Sequence, residues 1–142
     1  MGFDIKTLVQ LMNKYYKPNA EEDGDCEDLF EENEQFLSGA QRDARAGKGR
    51  YDLISPVALD YLARVYEEGA NKYGARNWEK GMPVSRYLDS ATRHIYQFLS
   101  GIRDEDHLGH AMWNIAAAIH TIEMVKRGKL PKELVDLPNY TE

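Results

Sequence analysis

Cysteine is nearly absent: Cys26 is the single one among 142 residues, so no disulfide can close within the chain. A lone thiol fits a reducing compartment, and the cytoplasm is the expected location. Long apolar runs are missing as well. None approaches the roughly 20 residues that span a bilayer. Met1-Gly2-Phe3-Asp4 lacks the basic-then-apolar start of a secretory signal. Met-Gly opens a myristoylation motif, but Lys6 stands where that motif needs Ser or Thr, so no membrane partner is expected. Internal repeats and strand alternation are also missing, which argues against a solenoid or a sheet-built core. The length suits one domain and leaves no room for two.

Basic residues are absent from positions 21–34, where Glu21, Glu22, Asp23, Asp25, Glu27, Asp28, Glu31, Glu32 and Glu34 supply nine negative charges. The chain as a whole carries −6, so the remainder carries +3 once these nine are set aside. The acidic run reads as a solvated linker, with a nucleic-acid mimic or a second metal site as the sharper alternatives. The body is mildly basic and suited to an anionic ligand.

Residues 3–16 place Ile5, Leu8, Val9, Leu11 and Met12 at near-helical intervals, predicting a short front helix that Pro18 ends. Residues 1–35 are thus a front helix and acidic linker, and 36–142 a helical domain. Residues 38–50 are rich in Gly, Arg and Lys and too irregular for a strand. Their Arg42, Arg45, Lys48 and Arg50 form either a charged loop or a phosphate-contacting arm, because glycines let backbone amides approach anions. Ser55-Pro56 announces the first core helix. Leu59, Leu62, Ala63, Tyr66, Ala70 and Tyr73 form its buried stripe, and Gly74 stops it. After a loop over 75–83, Ser85 is the expected cap of a second helix reaching about Ser100. Its inward residues are Leu88, Ala91, Ile95, Phe98 and Leu99. Gly101 breaks the chain, Asp104 is the expected cap of a third helix, and Gly128 and Pro131 stop it after Arg127. The expectation is an all-α fold: a helical bundle of three long core helices plus a short N-terminal helix. Its apolar faces are broad enough to leave one side open, so a homodimer or homotetramer would complete it.

The third helix carries the densest chemistry. His107, His110 and Asn114 recur at three- and four-residue spacing and stack on one face, with Asp104, Glu105 and Asp106 just before them. Glu67 and Glu68 on the first helix can face them, which gives a candidate metal set of Glu67, Glu68, Glu105, Asp106, His107 and His110. Glu67, Glu68, Asp106 and His107 would then be the catalytic groups, with Mg2+ or Mn2+ as cofactor. The plain alternatives are an exposed Glu68–Lys72 pair and two structural histidines. In the loop after the first helix, Trp78 offers a ring for stacking a base, or a plug for the bundle end. Asn77 can read a base edge, and Lys72, Arg76 and Lys80 can meet phosphates. Arg93 and His94 lie mid-helix, and an inward-leaning Arg needs an anionic partner. His94 and Asn114 complete the substrate-binding set.

Several stretches together resemble a phage-associated family, the dATP/dGTP diphosphohydrolase N-terminal domain family. They are Ser38-Gly39-Ala40, Arg50-Tyr51-Asp52-Leu53, Gly69-Ala70-Asn71-Lys72-Tyr73-Gly74, Asn77-Trp78, Arg93-His94, Glu105-Asp106-His107-Leu108 and Trp113-Asn114. The resemblance covers about residues 36–123. It implies a relative of the MazG-like all-α enzymes, which cleave nucleoside triphosphates to monophosphate and pyrophosphate with Mg2+ and work as dimers or tetramers. Host cytoplasm and a nucleotide ligand are implied, and polymeric nucleic acid is not. Those enzymes carry an E-E-x-x-E helix and a later E-x-x-D helix. Here Glu67-Glu68 is followed by Asn71 where the last Glu would fall, and His107 and His110 stand in the second pair of acid positions. These departures leave a second reading open, a non-catalytic protein that sequesters a nucleotide or nucleotide-derived signal.

Overall fold

The computed structural model describes residues 33–45, 47–138 and 140. The expected front helix, and with it nearly all of the acidic run, lies outside the described residues. The core is all-α, as expected, with one small addition at its N-terminal side. Glu34–Gln35 (β1) and Gln41–Arg42 (β2) pair antiparallel where no strand was predicted. Gly39, at φ 83°, makes the turn between them. That ladder is two residues long on each side, too short to leave an alternating pattern in the sequence.

Helix α1 spans Pro56–Tyr73 and begins and ends as predicted. Ser55 Oγ accepts from the Ala58 amide at 3.2 Å. Gly74, at φ 92°, returns its N–H to the Ala70 carbonyl. Its expected stripe is only partly covered. Val65 is its buried residue, while Leu59 and Tyr73 remain 52% and 62% exposed. The reason is that α1 rests on the helix we call α3, along one narrow line, and makes no comparable contact with α2.

Helix α2 spans Val84–Leu99 and packs along α3, His107–Lys126, as an antiparallel hairpin. Its buried residues are Val84, Tyr87, Ala91 and His94. The predicted inward face was therefore misplaced: Leu88, Ile95 and Leu99 are exposed, and Ala91 alone of that set is buried. Ser85 does not cap the helix. Pro83 holds the cap position, and the Ser85 amide donates to Asp136 Oδ1 at 2.9 Å while its hydroxyl donates to Oδ2. A carboxylate from the far end of the chain thus satisfies the first turn of α2 and complements its dipole.

Helix α3 starts one cap later than predicted, at Asp106 and not Asp104, with Asp106 Oδ1 accepting from the Gly109 amide at 2.9 Å. A Cβ on Gly109 would collide with that same carboxylate and come within 3.1 Å of Val65 Cγ2. Gly109 therefore permits both the cap and the close approach of α1. Beyond α3 the chain does not trail away. Val135 joins Val84, Tyr87, Ala117, Ala118 and Val125 in the core, and Leu130, Leu134 and Leu137 pack against it. Leu130 and Leu134 press on Gly81, whose φ of 75° and lack of a Cβ allow both.

These contacts set two expectations for stability. Gly-to-Ala inside a helix ordinarily stabilises by about 1 kcal/mol. Gly109→Ala is expected instead to destabilise by about 1–2 kcal/mol net, from crowding and a displaced cap. Urea unfolding reads the sign, and a stabilised variant would show that the cap is dispensable. Asp136→Ala should cost about 1 kcal/mol, the usual worth of a helix-end acceptor. The hydrogen bond from Ser85, ahead of smaller effects, holds the Asp136 carboxyl below its ordinary value. Its stabilisation is accordingly complete above the unfolded-state value of about 4 and fades as pH falls through the lowered one. The gap between native and variant should be present at about pH 7 and closed at about pH 2.

Candidate functional site

The α2–α3 hairpin turns over residues 100–106, and that turn builds the site. Gly101 takes φ 83°, and Arg103 Nη1 donates to the carbonyls of Phe98 and Ile102 at 2.8 and 2.6 Å, holding the turn closed. The closed turn brings His94, three helical turns into α2, against His107, the first residue of α3. Their Nδ1 atoms are 3.2 Å apart, and both side chains are buried. Glu105 Oε1 stands 3.4 Å from each of them. These three side chains offer ligand atoms close enough to share one metal ion.

Further groups surround the three. His110 stacks on His94 at 5.0 Å between centroids, and its Nε2 lies 3.7 Å from Glu105 Oε2 and 3.6 Å from Glu68 Oε2. His107 Nε2 is 2.9 Å from Asp104 Oδ1, an ion-pair distance, with the N–H off line for a hydrogen bond. Burial lowers the pKa of His94, and the neighbouring Arg93, His110 and His107 add to that against the opposing pull of Glu105. A neutral imidazole is the form that can donate a lone pair to a metal.

The acids of α1 divide. Successive helical residues are about 100° apart around the axis, so Glu68 reaches His110 while Glu67 lines a different feature. That feature is a cleft of roughly 910 Å3 between α1, the loop after it and α3. Its walls include Tyr66, Trp78 and Trp113, and its polar groups include Glu67, Asn77 and Asn114. Tyr66 meets Trp78 edge to face at 5.4 Å and Trp113 at 6.1 Å, while Trp78 also meets His120 at 4.7 Å. A large, mostly apolar concavity with a few convergent polar groups is the usual form of a small-molecule site. Burial raises the Tyr66 pKa, with a smaller push from Tyr87, so its hydroxyl stays protonated as a donor. Asn114 belongs to the cleft. Its Nδ2 donates to the His110 carbonyl at 2.8 Å.

Measured against the expected residues, the structure groups some and separates others. Glu68, Glu105, His107 and His110 gather at the turn, and His94, expected to touch substrate, joins them. Asp106 stands beside them with one carboxylate oxygen committed to the cap. Arg76, Asn77, Trp78, Lys80, Glu67 and Asn114 gather at the cleft. Lys72 and Arg93 are not among the residues that line it. The Lys72 ammonium sits 5.0 Å over the Tyr73 ring, so the Glu68–Lys72 pair gives way to Glu68–His110. Arg93 is exposed and reaches Gln97, so it has no buried charge to neutralise. The basic arm is largely neutralised by its own acids: Arg45 and Arg50 hold Asp52 at 3.1 and 2.7 Å, and Lys48 faces Asp43 at 3.6 Å. Tyr66 and Trp113 were not expected as cleft walls. Their signal was present, since Trp113 follows His110 by one turn and directly precedes Asn114.

The resemblance implies Mg2+, and the donors allow a test of that fit. Mg2+ takes oxygen ligands and usually retains several waters. The oxygen donors of α1, Glu67 at the cleft and Glu68 beside His110, are of the kind it takes. The His94–Glu105–His107 triangle, with two nitrogens of three donors, is not.

Among known proteins, the family described as dATP/dGTP diphosphohydrolase, N-terminal, matches residues 38–131. A Salmonella phage PMBT28 protein named dATP/dGTP diphosphohydrolase is 35% identical over 63 residues. That stretch is 44% of this chain and 21% of the phage protein, so the match spans about a fifth of that relative. No solved structure matches significantly. The family match takes in both the histidine turn and the aromatic cleft, and the chain belongs to the dATP/dGTP diphosphohydrolase N-terminal family.

Proposed function

We propose that this domain hydrolyses a purine deoxynucleoside triphosphate to the monophosphate and pyrophosphate, in phage nucleotide metabolism. The observation that carries the reading is an aromatic cleft set beside a histidine–carboxylate cluster, with Glu67 on the cleft and its chain neighbour Glu68 on His110. Tyr66, Trp78 and Trp113 offer the base apolar faces, and Asn77 and Asn114 offer it hydrogen bonds. Arg76 and Lys80 supply cations to the phosphates, although Arg76 must first release Glu79. Water attacks the α-phosphorus, the bond from that phosphorus to the bridging oxygen breaks, and pyrophosphate leaves. Glu67, exposed at the cleft edge, is the group available to take the water's proton. Mg2+ or Mn2+ would polarise the phosphoryl group, held by substrate oxygens and by Glu68 once it turns from His110 toward the cleft. The domain works on free nucleotides in the cytoplasm, without membrane or polymeric nucleic acid. Among the described residues no helix is long and apolar enough to cross a membrane.

One observation favours the second reading, a nucleotide-sequestering protein. Asn71, His107 and His110 stand at acid positions of the MazG-like pattern, so fewer oxygen donors are available. Pyrophosphate release from a panel of deoxynucleoside triphosphates with Mg2+ or Mn2+ separates the two. Turnover of a purine substrate is expected. Glu67→Gln should lower kcat by about 100-fold or more, as for a lost general base, while Trp78→Ala should chiefly raise KM. Tight nucleotide binding without product would move the assignment to sequestration.

The assembly belongs to the same reading. Leu88, Ile95, Leu99, Ile115 and Ile119 are exposed on the α2 and α3 surfaces. A second copy presenting the same residues would cover them in a homodimer, or in a homotetramer built as a dimer of dimers. Light scattering of the full chain should give a dimer mass or a multiple of it, and Ile95→Glu should shift it toward monomer. A monomeric native chain would remove this part.

A further inference from the structure

The triangle of His94 Nδ1, His107 Nδ1 and Glu105 Oε1 has a second property, its size. Its edges are 3.2, 3.4 and 3.4 Å. Ligands about 2.0–2.2 Å from a tetrahedral ion stand about 3.3–3.6 Å apart, so an ion of that kind sits among these three atoms with little rearrangement. Without an ion, the two buried imidazoles direct their Nδ1 atoms at each other, and one proton must serve both. Residues 94 and 107 lie on different helices, so the fold holds this apposition in place and loop wandering does not explain it.

The surroundings support the same ligand. A metal-bound imidazole usually directs its other nitrogen at a carboxylate, which orients the ring and raises its basicity. His107 has the Asp104 carboxylate near that nitrogen, 2.9 Å from Nε2, and a modest turn of the carboxylate would bring it into line. Glu105 turns its second oxygen toward His110, and His110 in turn meets Glu68, the outermost acid of the chain of contacts leading to α1. Three protein ligands leave one coordination position open, the pattern of catalytic rather than structural sites.

We infer that His94, Glu105 and His107 form a binding site for a first-row transition cation of the Zn2+, Fe2+ or Mn2+ class. Imidazole-rich donor sets favour such ions over Mg2+. The site is separate from the oxygen-rich Glu67 edge and does not require the chain to turn over nucleotides. It is independent of the proposed function, which draws its own cation to the acids of α1. Asp106, with its carboxylate on the Gly109 amide, belongs to the helix end and not to the ligand set.

The test uses the purified full chain, stripped with chelator and titrated with Zn2+, Co2+ and Mg2+. Zn2+ and Co2+ should each bind at one ion per chain, with Co2+ giving visible absorption bands of low coordination number. Mg2+ in excess should not displace them. Glu105→Gln preserves shape at a partly exposed position, and His94→Gln probes the buried one. Each should weaken Co2+ uptake by about 100-fold or more, with helical circular dichroism retained for Glu105→Gln. An imidazole pair that merely shares a proton would take up no Zn2+ or Co2+, and that result overturns the inference. So would native-strength binding by Glu105→Gln, or displacement by Mg2+. The two proposals fail separately. Metal uptake without pyrophosphate release removes the hydrolase reading alone, and Mg2+-supported release with no Zn2+ or Co2+ uptake removes this site alone.

Discussion

The bond from the Gly109 amide to Asp106 decides where α3 begins, and much else depends on that starting point. Beginning the helix at His107 sets which of its side chains face α2 and which face α1. His107 then points at His94, Asn114 at the cleft, and Ala111, Ala117 and Ala118 into the core. The small residue that keeps the cap intact also admits Val65 of α1. A shift of one residue would rotate every side chain of α3 by about 100° and separate the two halves of the site.

The histidine turn shows how electrostatics and burial are balanced near such a cap. Three imidazoles and three carboxylates lie within ion-pair reach, yet only His94 and His107 among them are buried. The acids remain in contact with water, which limits their desolvation cost. Burial disfavours the charged form of His94, against the opposing pull of Glu105. The cleft uses the opposite arrangement, with aromatic walls on the inside and cations at the mouth.

The helix boundaries were legible where local chemistry determines them. Ser55-Pro56, Gly74, Gly101 and Gly128 punctuate the chain, and each is where the sequence places it. What was not legible depended on distant partners. Asp136 lies 51 residues beyond Ser85, so no local pattern shows that it serves the first turn of α2. The inward face of α2 was misplaced because Leu88, Ile95 and Leu99 form one edge of the same broad apolar face as Val84, Tyr87 and Ala91, and periodicity does not show which edge a neighbour covers. The spacing of His107, His110 and Asn114 marked α3 as the richest helix, though the structure places the two histidines at the turn and Asn114 at the cleft. His94 could join the histidines only once the hairpin was closed, since thirteen residues and a turn intervene. Asp104, Glu105 and Asp106 are adjacent and chemically alike, yet they became an outer acid, a shared carboxylate and a cap. Their division of labour is set by the direction of the turn, which composition does not encode.

The contact between Gly81 and the pair Leu130 and Leu134 links two segments that lie far apart along the chain. Gly81 ends the single helical turn, Asn77–Lys80, that carries the loop side of the cleft. Leu130 and Leu134 belong to the tail that also clasps α2 through Asp136. Widening the cleft by moving that loop outward would therefore unseat the tail, and loosening the tail would unlock the loop. The mouth of the cleft and the segment after α3 are therefore expected to open, and to protect their amides, together.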